Sequence, residues 1–91
     1  MRIELSPTLL EQLRALDKAQ RREIGQRIEE ARRSFGQPHI HHGAGIRDLG
    51  GKTYECRISL DQRLVFVVKE GCLYFHFLGN HNDVNRFLRN Q

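Results

Sequence analysis

The sequence predicts a small α+β domain: an N-terminal helical hairpin packed on one face of a small, mainly antiparallel twisted sheet, with a short C-terminal helix. Three observations carry that prediction. Apolar residues recur at helical spacing as far as Phe35, and the period changes to two from Gly43 onward. The strand-like runs after Gly43 follow one another so closely that they must pair as an antiparallel meander. A chain of 91 residues fits one domain, so both halves share a single core over 1–91.

The first element is a short strand, "RIEL", at residues 2 to 5. Ser6-Pro7 then reads as a helix start, with serine as cap and proline in the first turn. Thr8 to Glu11 offers an alternative capping box one turn later. Leu9, Leu10, Leu13 and Leu16 fall on one face of this helix. Asp17, with Gln20 three residues on, caps a second helix. Its apolar stripe is Ile24, Ile28, Ala31 and Phe35, and Gly36 and Pro38 end it.

In the second half, "AGIRDLGG" is a short strand between glycines. "KTYECRISL" alternates Tyr54, Cys56, Ile58 and Leu60 against Glu55, Arg57 and Ser59. Asp61-Gln62 is a tight turn before the β-branched run "RLVFVVKE", and Glu70-Gly71 is a second turn before "CLYFHFL". "NDVNRFLRN" is a C-terminal helix with Asn80 or Asn82 as its cap.

Charge narrows the function. Fifteen Lys and Arg against eleven Asp and Glu give a net +4, and the sequence pI is about 9.6. Twelve of the fifteen cations are arginine, whose planar fork suits phosphate and base stacking. Nucleic acid or an acidic protein is the partner class this favours. Arg21, Arg22, Arg32 and Arg33 fit the solvated face of the second helix instead.

Cys56 and Cys72 each sit inside an apolar run, as core thiols of a reduced protein. Neither a CxxC pair nor another metal spacing occurs, and neither metal nor cofactor is expected. The histidines His39, His41 and His42 in "PHIHHGAG" read as a polar loop. The N-terminus carries no apolar signal segment and no window reaches membrane-span length, so the expected location is cytoplasmic.

Alternation then sorts the polar side chains. With Tyr54, Cys56 and Ile58 facing the helices, Glu55, Arg57 and Ser59 face outward. In the last strand Leu73, Phe75 and Phe77 make the better core set, which turns Tyr74 and His76 outward. Arg63 opens its strand just after a turn, and His81 follows the last strand. The open face therefore carries Arg57, Arg63, Tyr74, His76 and His81, with Glu55 nearby. Arg47 and Lys52 are further candidate substrate contacts. Guanidiniums, imidazoles and a carboxylate on one face can bind a phosphate and move protons around it.

The same residues carry a resemblance. Tyr54 and Arg57, then Arg63-Leu64-Val65-Phe66, then Gly79-Asn80-His81 before the tail resemble the RelE/ParE toxin superfamily over nearly the whole chain. "GIRDL" matches the corresponding strand of that superfamily loosely. The resemblance implies a RelE/ParE-like fold and a toxin of a type II toxin–antitoxin pair. Its partners would be a cognate antitoxin, in a hetero-oligomer, and mRNA with the ribosome.

RelE-like members cleave mRNA, whereas ParE-like members inhibit DNA gyrase; a non-toxic antitoxin-binding member is a third reading. For a metal-independent endoribonuclease, the resemblance implies Arg57 and Arg63 on the scissile phosphate and His81 as general acid. Glu55 stands at a position that is often basic in the superfamily, so it is either a candidate general base or simply a residue that weakens RNA binding. Tyr74, His76, Asp61 and Asp48 are weaker candidates. Phe87 replaces a tyrosine that some RNA-cleaving members use, so no hydroxyl is available there.

Overall fold

The computed structural model describes residues 1–35 and 45–90. Strand β1 (Arg2–Leu5) leads into helices α1 (Pro7–Arg14) and α2 (Lys18–Ser34). Strands β2 (Ile46–Gly50), β3 (Thr53–Arg57), β4 (Arg63–Lys69) and β5 (Cys72–Gly79) follow, and helix α3 (His81–Arg89) closes the chain. The strands form one sheet in the order β1-β5-β4-β3-β2. All neighbours are antiparallel except β1, which pairs parallel with β5 across the long intervening chain. The Gly36–Pro38 stop signal and the histidines of residues 39 to 42 lie outside the described residues.

Local signals set the helix starts. Ser6 caps α1, its hydroxyl accepting from the Leu9 N–H at 3.0 Å. The Thr8 alternative is not used, because Pro7 already occupies the first helical turn. Asp17 and Gln20 form the expected capping box on α2. On α3 the cap is Asn80 rather than Asn82, in a box with Asp83.

Helix α1 is fastened to β5 by Gln12, which donates to the Leu78 carbonyl and accepts from the Leu78 N–H, each at 2.8 Å. Leu9 and Gln12, three apart, thus share the sheet-facing side, and Leu10 is rotated away from it. Leu10 is 42% exposed, which removes it from the expected leucine stripe.

The core lies between α1, α2 and one face of the sheet. Leu9, Ala31, Leu64, Phe66, Leu73 and Phe75 are all at 0% exposure. Phe66, on the central strand, sits 4.9 Å from Phe75, 5.5 Å from Tyr54 and 6.2 Å from Phe35 between ring centroids. Cys56 and Cys72 are both buried, on strands separated by β4. Burial pushes the Cys56 thiol above its ordinary pKa, as expected of a packing residue.

The opposite face departs from expectation in β5. Register runs Phe66↔Phe75 and then Val65↔Phe77, so His76 is an extra residue in a β-bulge. Ser6 stabilises the bulge twice: its N–H donates to the Phe75 carbonyl at 2.9 Å and its hydroxyl to the His76 carbonyl. Past the bulge, alternation restarts on the other foot. Phe77 therefore leaves the helix-covered face, contrary to the sequence reading, and packs 5.2 Å from Phe87 of α3. Leu78 takes the core position instead.

Helix α3 thus crosses the second face with Val84 buried and Phe87 against His76 and Phe77. That face is partly covered rather than wholly wet. Strand β3 also ends earlier than expected, at Arg57. Ile58–Gln62 is a loop closed by Ile58 and Ser59 N–H bonds to the Gln62 carbonyl, with Leu60 84% exposed at its tip.

Candidate active site

The polar residues of the second face gather at two ends, with α3 between them. At the first end, β2 and β3 pair Arg47 directly with Glu55, and β3 and β4 pair Arg57 with Arg63. Like charges directly opposite one another destabilise an antiparallel pair, so Arg57 and Arg63 call for a compensating anion. Glu55 supplies part of it. The residue is 5% exposed, with Oε2 3.4 Å from Arg63 Nε and Oε1 3.8 Å from Arg47 Nη1.

Arg47, Glu55, Arg57 and Arg63, with Gly45 and Ile46, line a cleft of about 240 Å³. Three guanidiniums less one carboxylate leave two positive charges around it. That excess of positive charge suits a further anion.

One atom stands out. Glu55 Oε2 is buried and has no hydrogen-bond partner among the described residues. The Arg63 nitrogen lies within ion-pairing distance but outside hydrogen-bond geometry. Buried polar atoms are nearly always satisfied, so an exception calls for a water, an ion, local strain or a chemical role.

His81, the first residue of α3, lines an adjoining cleft of about 260 Å³ that shares Arg47 and Glu55 with the first. Asp48, Leu49, Val84, Asn85 and Leu88 complete it. The helix start that holds His81 depends on Gly79. A Cβ there would stand 2.7 Å from Asp83 Cβ and 2.9 Å from the Phe77 ring. Asn85 was missed from the sequence, although its spacing of four from His81 on a helix is a signal that places both on one side.

Tyr74 and His76 lie at the other end. Their rings are 4.7 Å apart, and they line a separate cleft of about 470 Å³ with Arg2, Glu4, Lys69 and Glu70 among the other walls. Burial holds the His76 imidazole below its ordinary pKa. Lys52 sits in the β2–β3 turn with φ 65° and lines none of these clefts. Of the eight candidate residues, the structure gathers Arg47, Glu55, Arg57 and Arg63 in one cleft with His81 next door, and Tyr74 with His76 apart.

Among solved structures, the chain superposes on a YoeB/ParE toxin from Agrobacterium tumefaciens with a TM-score of 0.69 at 20% identity, covering 89% of this chain and 99% of that one. It matches the isolated E. coli RelE toxin with a TM-score of 0.65 at 15% identity, over 99% and 98% of the two chains. The chain has the RelE/ParE toxin fold. An archaeal RelE–RelB complex from Pyrococcus horikoshii OT3 is a further match, with a TM-score of 0.64 at 19% identity over 87% and 92%. The sequence matches no family model and no curated protein.

On this fold the five-stranded sheet carries the candidate site on the face away from α1 and α2, beside the start of α3. No helix among the described residues is long and apolar enough to cross a membrane. No cluster of metal-ligating side chains occurs among them either.

Proposed function

We propose that this chain is the toxin of a type II toxin–antitoxin pair and acts as a metal-independent endoribonuclease on mRNA, with the ribosome as the setting. One observation carries the reading: a buried carboxylate oxygen with no hydrogen bond, inside a cleft of three arginines, next to a cleft that holds an exposed histidine. A gyrase inhibitor needs a binding surface, whereas this arrangement supplies a proton acceptor, an anion site and a proton donor side by side.

In the proposed reaction Arg57 and Arg47 hold the scissile phosphate between them. Glu55, through Oε1 rather than the enclosed Oε2, takes the proton of the ribose 2′-hydroxyl, whose oxygen attacks phosphorus. Negative charge builds on the phosphoryl oxygens, where fixed guanidiniums stabilise it without reorganising. His81 protonates the leaving 5′-oxygen. The P–O5′ bond breaks, leaving a 2′,3′-cyclic phosphate and a 5′-hydroxyl.

The RelE–RelB complex among the structural relatives supports an antitoxin as the second partner. An acidic segment laid over the arginine cleft would block it. The test is inducible expression with growth and primer extension as readouts. New mRNA ends bearing cyclic phosphate, lost in His81→Ala and in Arg57→Ala, are expected. Growth arrest with intact mRNA and induced DNA damage would sink the nuclease in favour of gyrase inhibition, and unaffected growth would leave only antitoxin binding.

A further inference from the structure

Arg63 and Arg57 face each other across β3 and β4, yet their surroundings differ sharply. Arg57 is exposed. The Arg63 side chain is only 13% exposed and is engaged at both ends of its guanidinium. Nε lies 3.4 Å from Glu55 Oε2. Nη1 donates to the Ser59 carbonyl at 3.1 Å and the Leu60 carbonyl at 3.0 Å.

Those carbonyls belong to the loop between β3 and β4, which the Ile58 and Ser59 N–H bonds to Gln62 close. One planar group thus ties the buried carboxylate to the loop at the end of the strand that carries Arg57. A guanidinium with its flat fork committed in two directions is poorly placed to close bidentately on a phosphate.

We infer that Arg63 is a positioning residue and not a phosphate contact: it holds the Glu55 carboxylate and the Ser59–Gln62 loop in register, while Arg57 and Arg47 meet the substrate. The inference rests on the proposed RNA-cleavage reading and assigns a division of labour within that site. Lysine cannot replace such a residue, because an ammonium keeps the charge but not the rigid two-ended fork. At a plain phosphate contact lysine would serve as a point charge.

The experiment compares Arg63→Gln, Arg63→Lys and Arg57→Gln with the unsubstituted chain in two measurements. Anisotropy of a 2′-O-methyl RNA oligonucleotide, which cannot be cleaved, gives the dependence of affinity on salt. Cleavage of the unmodified oligonucleotide, on ribosomes where they are required, gives kcat and KM.

Each lost phosphate contact on a single strand flattens the slope of log K against log salt by about 0.7. Arg57→Gln is expected to show that flattening and a raised KM, with kcat lowered as well because the same guanidinium meets the charge of the transition state. Arg63→Gln is expected to keep the slope and KM while kcat falls about 10²-fold, the scale of a misplaced catalytic group. Arg63→Lys is expected to lose kcat as well, which covers the case in which Arg63→Gln does not fold.

A flattened slope in Arg63→Gln equal to that of Arg57→Gln, or full kcat in Arg63→Lys, overturns the inference and leaves the RNA reading standing. An unsubstituted chain that neither binds nor cleaves RNA overturns both.

Discussion

The two faces of the sheet are made from the same strands by alternation, and they are built on opposite rules. On the face under α1 and α2, Leu64, Phe66, Leu73 and Phe75 are all at 0% exposure and present no polar side-chain atom. On the other face, alternate residues of β3 and β4 include Glu55, Arg57 and Arg63 beside the buried Val65, and burial there encloses a charge as well as apolar groups. The first face is satisfied in itself. The second holds a buried oxygen without a hydrogen bond and more cations than anions, a state that costs stability unless something binds. A domain of this size can carry such a face because the other holds most of its buried apolar residues.

The largest expected effect therefore falls on the covered face. Phe66→Ala removes a ring in contact with Phe35, Tyr54 and Phe75 and leaves a cavity on the central strand. A loss of about 3–5 kcal/mol is expected in urea unfolding, a large share of a small domain's stability. If Phe66→Ala lost less than Glu55→Gln, the division between a holding face and a working face would be wrong.

On the working face the order reverses. His81→Ala and Glu55→Gln are each expected to cut RNA cleavage by about 10²-fold or more, the usual contribution of a proton-transfer group. His81 is exposed, so its loss should leave the unfolding midpoint nearly unmoved. Glu55→Gln keeps the shape but leaves Arg63 without its buried counter-charge, so its midpoint should fall, though by less than that of Phe66→Ala. A variant that unfolds in step with its loss of activity would mean that the residue belongs to the holding set.

Much of this was legible from sequence, and what was not has a physical cause. Period-two alternation in "TYECR" separated Tyr54 and Cys56 from Glu55 and Arg57 correctly, because β3 pairs with β4 without a register break. The same rule misplaced Phe77. The bulge at His76 is stabilised by Ser6, seventy residues away in sequence, and no local pattern in β5 announces it. The gathering of Glu55, Arg57 and Arg63 followed from strand order and register, which the short turns constrain, whereas Arg47 joins them only through its pairing with Glu55 on β2.

The separation of Tyr74 and His76 from His81 did not follow. It depends on where α3 lies across the sheet, a matter of how Val84 and Phe87 pack rather than of their spacing. The reach of Arg63 to the carbonyls of Ser59 and Leu60 was equally invisible, since any long side chain after a turn has several options.

A smaller effect comes from one substitution made at two glycines. At Gly79 an added methyl meets Asp83 and the Phe77 ring at under 3.0 Å, at the joint between the covered strand and the helix that carries His81. Gly79→Ala should cost about 1–3 kcal/mol and lower cleavage as well, because α3 must shift. At Gly25, inside α2, the methyl meets nothing within 4 Å. Gly25→Ala should add about 0.5–1 kcal/mol and leave cleavage unchanged. Paired thermal melts and activity assays check both signs, and a harmless Gly79→Ala would detach the helix start from the site.

The smallest effect concerns pH, and it tests whether His76 belongs with the packed or the working residues of its face. Burial beside Tyr74 and Phe87 lowers its pKa below the ordinary 6.5, so the fold prefers the neutral ring. The unfolded chain takes up a proton near pH 6.5 while the folded chain resists it, so in that window the unfolded state binds more protons. The stabilisation is complete above that pH, declines as pH falls through it, and levels off below the folded value. Arg2, Lys69, Glu4 and Glu70 line the same cleft, two of each charge. The melting temperature should therefore drop between about pH 7 and 5, and His76→Phe should flatten that drop by keeping the ring contacts without the proton. A melting temperature that rises on acidification would show His76 charged and paired in the fold, and would move it from the aromatic packing under α3 to the ligand-facing set.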